Sequence, residues 1–142
     1  MGRKTTSTLE FPYSRTLGPV VGAFLAGLRE HKILGAVTHD NGVIVPPLEY
    51  DPATGEEIQR LTEVGPAGTV ESWTWVPEPT SKHPLQHPFA FALIKPDGAD
   101  TAMVHVVDCP TEAQMEIGMR VHPRWKTDPT NMITDIEAWE RV

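Results

Sequence analysis

One cysteine, six histidines and two closely spaced tryptophans are the residues of this 142-residue chain whose types invite a chemical reading. Cys109 follows His105 by four positions. On a strand the two side chains share a face but stand about 13 Å apart at ~3.3 Å per residue, too far for a nucleophile and its base. His83 and His87 lie with Lys82 in a Pro- and His-rich loop from Pro77 to Pro88, where imidazoles could gather around a substrate and move its protons. Solvated loop histidines are the plainer reading. Strict alternation puts Trp73 and Trp75 on the face of Glu71, opposite Val70, Ser72, Thr74 and Val76. Two such rings can grip a flat group or an extended chain, and a small barrel also needs large core residues, so one is expected in the core and one at an interface. Trp73, Trp75, His83 and His87 are therefore the substrate-channel candidates. His39, Asp40, Glu49 and Asp51 offer O and N donors for a divalent ion, although charged turn residues are ordinarily just solvated. No Gly-rich phosphate loop, paired carboxylates or Ser/His/Asp set stands out, so the chain alone reads as non-catalytic, with no catalytic residue to name.

These residues must be positioned by a modest fold. The length suits one domain or a barrel with an appendage, and 14 Pro and 11 Gly mark short elements separated by many turns, favouring β structure. A net charge of −7 with only 12 Lys and Arg argues against nucleic acid, whose phosphates require clustered cations. The single Cys109 excludes an internal disulfide framework and a cysteine-rich zinc site. The opening Met-Gly-Arg-Lys lacks the apolar core of a signal peptide, and Leu17 to Leu28 is shorter than the roughly 20 residues a membrane span needs. A cytoplasmic protein with no membrane partner is expected.

After residues 1–16, read as a flexible N-terminus, Pro19 opens a short helix. Val20, Val21, Phe24, Leu25 and Leu28 fall on one face, while the opposite face is Gly22, Ala23, Ala26 and Gly27 rather than charged residues. With no side that wants water, the helix is either sandwiched inside the chain or docked on a partner. A small barrel has little surface to cover both faces, so those five residues are assigned to partner binding. An Asp at Phe24 or Leu25 is then expected to abolish a complex and leave the barrel folded.

Two turns follow. Ile33–Val37 and Val43–Val45 flank the hairpin turn Thr38-His39-Asp40-Asn41-Gly42, and Pro46-Pro47 leads to Tyr50-Asp51-Pro52-Ala53-Thr54-Gly55. Further on, Gly68–Val76, Phe89–Lys95, Ala102–Cys109, Gly118–Lys126 and Met132–Trp139 read as five strands, with a helical turn at Pro110–Gln114 before the fourth. Asp108 is expected to cap that turn. The set matches a small OB barrel.

The order of helix, knuckle, Pro-Pro, second knuckle and barrel resembles the family of zinc-ribbon and OB-fold proteins associated with acyl-CoA enzymes. In that family the knuckles commonly read Cys-x-x-Cys-Gly and Cys-Pro-x-Cys/Thr-Gly; here Thr38 and Asn41 hold the first pair of positions and Asp51 and Thr54 the second. Thr38, Asn41 and Thr54 are poor zinc ligands, and the thiolates are gone. The barrel stretches Gly68-Thr69-Val70, Ser72-Trp73-Thr74, Val106–Cys109 and Ile117–Val121 extend the likeness over most of the chain from Leu17. The resemblance implies a mainly β chain: a docking helix and a degenerate, metal-free rubredoxin-like ribbon over residues 17–60, then a five-stranded OB-fold barrel over 61–142. It further implies an accessory subunit of a thiolase-fold enzyme, in the branch that partners lipid-transfer-type aldolases in steroid side-chain degradation. The complex would be a heterotetramer, with a hotdog-fold hydratase as a further partner. Acyl-CoA would be its substrate, with no cofactor bound by this chain. The alternatives are a bridge between a thiolase and a hydroxymethylglutaryl-CoA synthase, a stand-alone OB module binding a ligand, and an enzyme using His83 or His87.

Overall fold

The computed structural model describes residues 18–142; residues 1–16 and Leu17 lie outside the described residues. Helix α1 (Pro19–Arg29) begins where Pro19, lacking an N–H, fits the first turn without loss. Its N-cap, Gly18, has no side chain to satisfy the helix amides. It ends as the amides of Glu30 and Lys32 both donate to the Gly27 carbonyl and His31 reverses the chain at φ 64°. The His31 ring then stacks on Trp125 at 4.8 Å and 10°.

Strand β1 (Ile33–Val37) pairs with the short β2 (Val43–Ile44) on one side and with β3 (Arg60–Val64) on the other, giving a three-stranded sheet of order β2-β1-β3. The register with β3 runs from Ile33 opposite Val64 to Val37 opposite Arg60. Residues 60 and 61, the expected boundary of ribbon and barrel, are both inside β3, which completes the ribbon sheet.

The barrel is β4 (Gly68–Val76), β5 (Phe89–Pro96), β6 (Met103–Val107), β7 (Arg120–Trp125) and β8 (Ile136–Arg141), closed in the order β4-β5-β6-β8-β7. At Gly68 the backbone passes so near β5 that an added Cβ would sit 2.9 Å from the Lys95 carbonyl oxygen, which is why glycine opens β4. A bulge at Glu71 sets Val70 opposite Ile94 and Ser72 opposite Leu93. One extra residue flips the side-chain alternation. Trp73 and Trp75 thus join Val70 against the core instead of facing away from it, and strict alternation fails at this point. Both rings are half-buried against that core. The last strand also begins later than its β-rich run at Met132 predicts. Buried Asp135 accepts the Thr130 amide (2.7 Å) and hydroxyl (3.0 Å) and the Asn131 amide (2.8 Å), bending residues 130–135 into a loop and one 3-10 turn, so β8 starts at Ile136.

The core is continuous across the parts. Phe24 and Leu28 from α1, and Ile33, Val45 and Val64 from the ribbon, pack with Val70, Ile94, Met103, Val107, Val121, Ile136 and Trp139 of the barrel. A second, smaller cluster of Leu85, Phe89, Val106 and Ala138 lies under the 77–88 loop.

Hydrogen bonds fasten the ribbon to the β5–β6 loop. The Val43 amide donates to Asp100 Oδ2 (2.8 Å). The Val45 amide donates to Thr101 Oγ1 (2.8 Å), whose hydroxyl donates back to the Val45 carbonyl (2.9 Å). Thr101→Val removes both partners of Val45, whose side chain is buried, and is expected to cost about 1–3 kcal/mol in urea unfolding. A variant as stable as the parent would show that this weld contributes nothing.

Candidate functional site

The four positions where the resembling family places zinc ligands are engaged in hydrogen bonds of their own. In the first knuckle Thr38 Oγ1 accepts the Gly42 amide (3.0 Å) and donates to Asp40 Oδ1 (2.6 Å). Asn41, at φ 67°, accepts from Arg60 Nη2 (3.1 Å), tying the turn to β3. In the second, Thr54 Oγ1 accepts the Glu56 amide (3.2 Å). Asp51 joins the two knuckles: its Oδ2 accepts both the amide (2.8 Å) and the ring Nδ1 (2.9 Å) of His39, and its Oδ1 accepts the Ala53 amide (2.8 Å). The His39 and Ala53 amides, followed by the His39 ring, hold the Asp51 carboxyl down at about 2. The hydrogen bond to Asp51 raises the His39 imidazole above its ordinary value. A polar cleft of about 230 Å³ opens between the knuckles and β3, lined by residues of both turns and by Arg60. Among the described residues no three His, Cys, Asp or Glu side chains converge on a point that could hold a metal ion.

Glu49 was offered by its sequence position as an ion ligand, but the structure gives it a different task. Its carboxylate reaches the open end of α1, Oε1 accepting the Val20 amide (3.1 Å) and Oε2 the Val21 amide (2.8 Å). It thereby supplies the cap that Gly18 lacks, and a carboxylate suits the positive end of the helix dipole.

The assignment of all five apolar helix residues to a partner does not survive. Val20, Phe24 and Leu28 are buried, Leu28 completely, with Phe24 and Leu28 inside the chain's own core. Val21 and Leu25 are only half-buried, and Ala26 is exposed. The barrel accepts the helix because ribbon residues Ile33, Val45 and Val64 enlarge the core that it covers.

The substrate-channel candidates are not brought together. Trp73 and Trp75 pack on the main core, whereas His83 packs edge-on against Phe89 (5.7 Å) and Phe91 (6.3 Å) beside the second cluster. His83 Nδ1 accepts the Thr80 amide (2.8 Å). His87 Nε2 meets Asp108 Oδ1 at 2.9 Å. Asp108 makes no cap to the 3-10 turn at Glu112–Gln114, contrary to expectation, because it is held elsewhere. Its second oxygen accepts Arg124 Nη1 (3.0 Å), and Arg124 also donates to Glu137 (3.2 Å) and Glu140. Burial pushes the Asp108 carboxyl up, but His87 and Arg124 outweigh it and hold it below the usual carboxylate range. His105 accepts the Val106 amide on Nδ1 (2.8 Å) and meets the Ile133 carbonyl through Nε2 (3.2 Å), a neutral tautomer whose pKa burial lowers. Cys109 is buried.

Residues 61–126, from β3 through β7, match the family model of the ChsH2 C-terminal OB-fold domain. Over that stretch the barrel is similar to a ChsH2-type OB-fold domain. Among solved structures, the fold is similar to a chain of an Ltp2-ChsH2(DUF35) aldolase at TM-score 0.68 and 18% identity, over 88% of this chain and 96% of that one. It is also similar to a DUF35-family protein of unknown function from Sulfolobus solfataricus, at TM-score 0.62 and 22% identity over 76% and 77%. Comparison with curated proteins finds no match. The matched stretch contains neither ribbon knuckle, and the barrel shares its core with the ribbon through Ile33, Val45 and Val64.

Two expectations follow for this region. Phe24→Asp places a charge in the shared core and is expected to cost several kcal/mol, seen as loss of the cooperative melt of the isolated chain; a normal melt would return Phe24 to the surface. The Asp51–His39 contact makes stability depend on pH from both sides. Asp51, lowered when folded, contributes above about 4 and loses its contribution as the pH falls toward about 2. His39, raised when folded, contributes below its ordinary 6.5 and loses its contribution as the pH rises past it. Chemical denaturation should therefore show the ribbon most stable between about pH 4 and 6.5, and Asp51→Asn should flatten that profile. An unchanged profile would dismiss the contact as inconsequential.

Proposed function

We propose that this chain is a non-catalytic accessory subunit that binds and stabilises a thiolase-fold, lipid-transfer-type aldolase. The observation that carries the reading is the match of residues 61–126 to the ChsH2 OB-fold domain. The likeness of fold to a chain of the Ltp2-ChsH2(DUF35) aldolase, which this chain covers almost end to end, supports it. The partner carries out retro-aldol cleavage of a hydroxyacyl-CoA, most specifically a steroid side chain, within a heterotetramer to which a hotdog-fold hydratase can be added. Acyl-CoA is the substrate of the complex, and this chain binds no cofactor of its own. The placement of the candidates favours this division of labour: His83, His87, Trp73 and Trp75 are occupied in packing and hydrogen bonding at separate places. Among the described residues no helix is long and apolar enough to cross a membrane.

Of the helix residues first assigned to docking, Val21 and Leu25 retain exposed surface and are the ones we assign to the partner. The test is co-expression with a thiolase-fold aldolase encoded in the same genome, followed by size exclusion and a retro-aldol assay with a hydroxyacyl-CoA. The pair is expected to co-elute, with cleavage requiring both chains. Val21→Asp is expected to weaken association roughly tenfold or more while the subunit's melt stays unchanged. Elution of the wild-type chain alone as a stable monomer, or cleavage by either chain in isolation, would overturn the reading.

A further inference from the structure

The ribbon carries two carboxylates in series, each reaching a different part of the fold. Asp51 collects the His39 amide, the His39 ring and the Ala53 amide, so both knuckles meet at one side chain that is only 5% exposed. Two residues earlier, Glu49 holds the first free amides of α1. The backbone between them is held at both ends, the Glu49 carbonyl accepting the Ile58 amide (2.9 Å) and the Asp51 amide donating to the Glu56 carbonyl (2.8 Å). The Glu49 carboxylate also closes over Gly18 so tightly that a Cβ there would fall 2.1 Å from its Cδ. Any shift of the second knuckle relative to the first therefore moves the helix cap as well.

We propose that Asp51 and Glu49 form a metal-free latch. Asp51 fastens the second knuckle to the first where the resembling family would use an ion, and Glu49 passes that fixed position to the N-terminus of α1. The order of the helix's first turn is thus set by the ribbon knuckles, in addition to the packing of Phe24 and Leu28 on the ribbon sheet. Gly18 provides no alternative cap, and the first turn of α1 carries no acidic residue of its own. The latch is independent of which partner the chain binds. It uses no titration outside the knuckles: the charged groups facing His39 are Asp51, Asp40 and Glu56, and Arg60 reaches the same turn through Asn41.

Native-state hydrogen exchange on the full chain tests it, with Asp51→Asn and Glu49→Gln as the variants. Both are expected to speed exchange at the Val20 and Val21 amides roughly tenfold or more, the scale of losing a hydrogen bond to a charged group. Asp51→Asn should also free the His39 and Ala53 amides, β5 of the barrel should keep its protection in both, and EDTA should change nothing. The latch is overturned if Glu49→Gln leaves Val20 and Val21 protected. It is equally overturned if Asp51→Asn frees His39 and Ala53 but not the helix amides, since the carboxylates are then uncoupled, or if EDTA alone deprotects His39. Should Asp51→Asn fail to fold, His39→Gln retains the backbone arm and must still speed Val20 and Val21 by a smaller factor; no change there would also sink the proposal.

Discussion

Phe24 and Leu28 are buried in a core that belongs to no single part of the chain. Each such side chain contributes on the order of 1.5–3 kcal/mol when fully removed from water. Because their neighbours include Ile33, Val45 and Val64 of the ribbon as well as Val70, Ile94 and Val121 of the barrel, helix, ribbon and barrel are stabilised together. This answers the sequence puzzle of a helix without a polar side. The covering that the barrel alone could not provide comes from the ribbon sheet, and what remains outward is a narrow strip around Val21, Leu25 and Ala26.

That shared core also explains how a ribbon can exist with no thiolate. A structural zinc site supplies on the order of 10–16 kcal/mol to a small domain. The hydrogen bonds at Thr38, Asn41, Asp51 and Thr54 supply about 1 kcal/mol each, somewhat more where the Asp51 charge is involved. They cannot replace the metal in energy. They replace it in geometry, fixing which turn meets which, while the stability comes from Ile33, Val45 and Val64 and from the Thr101 weld to the barrel.

Much of this architecture was legible in local pattern. Pro19 marked the helix start, the turn at Thr38–Gly42 marked a hairpin, and five runs of β-rich sequence gave five barrel strands. What escaped was of two kinds. The bulge at Glu71 has no signature in a run that already alternates well, yet one inserted residue decided which face Trp73 and Trp75 occupy. The other kind is long-range polar pairing. Glu49 meets Val21 from 28 residues away, Asp51 meets His39 from 12, and Asp108 meets His87 from 21. The sequence marked Glu49, Asp51, His39 and His87 as available for chemistry and Asp108 as a cap, but only the fold shows that each is already committed to another group.

The closure of the barrel shows the same division between energy and geometry. Strand β4 meets β7 over only two residue pairs, and β6 meets β8 at the single parallel pair Val107 and Trp139. Side chains span these short seams: Arg120 links Asp97 and Thr69 beside the first, and Arg124 links Asp108, Glu137 and Glu140 beside the second. Partly exposed ion pairs of this sort are worth about 0–1 kcal/mol, so they do not hold the barrel shut; buried Val107, Val121 and Trp139 do. A guanidinium fork nevertheless restricts how its strands can slide, because its planar donors match carboxylates in one orientation. His87 attaches the long loop to the same cluster through Asp108. The polar side chains with the most apparent chemical promise are therefore used to fix relative positions in the fold.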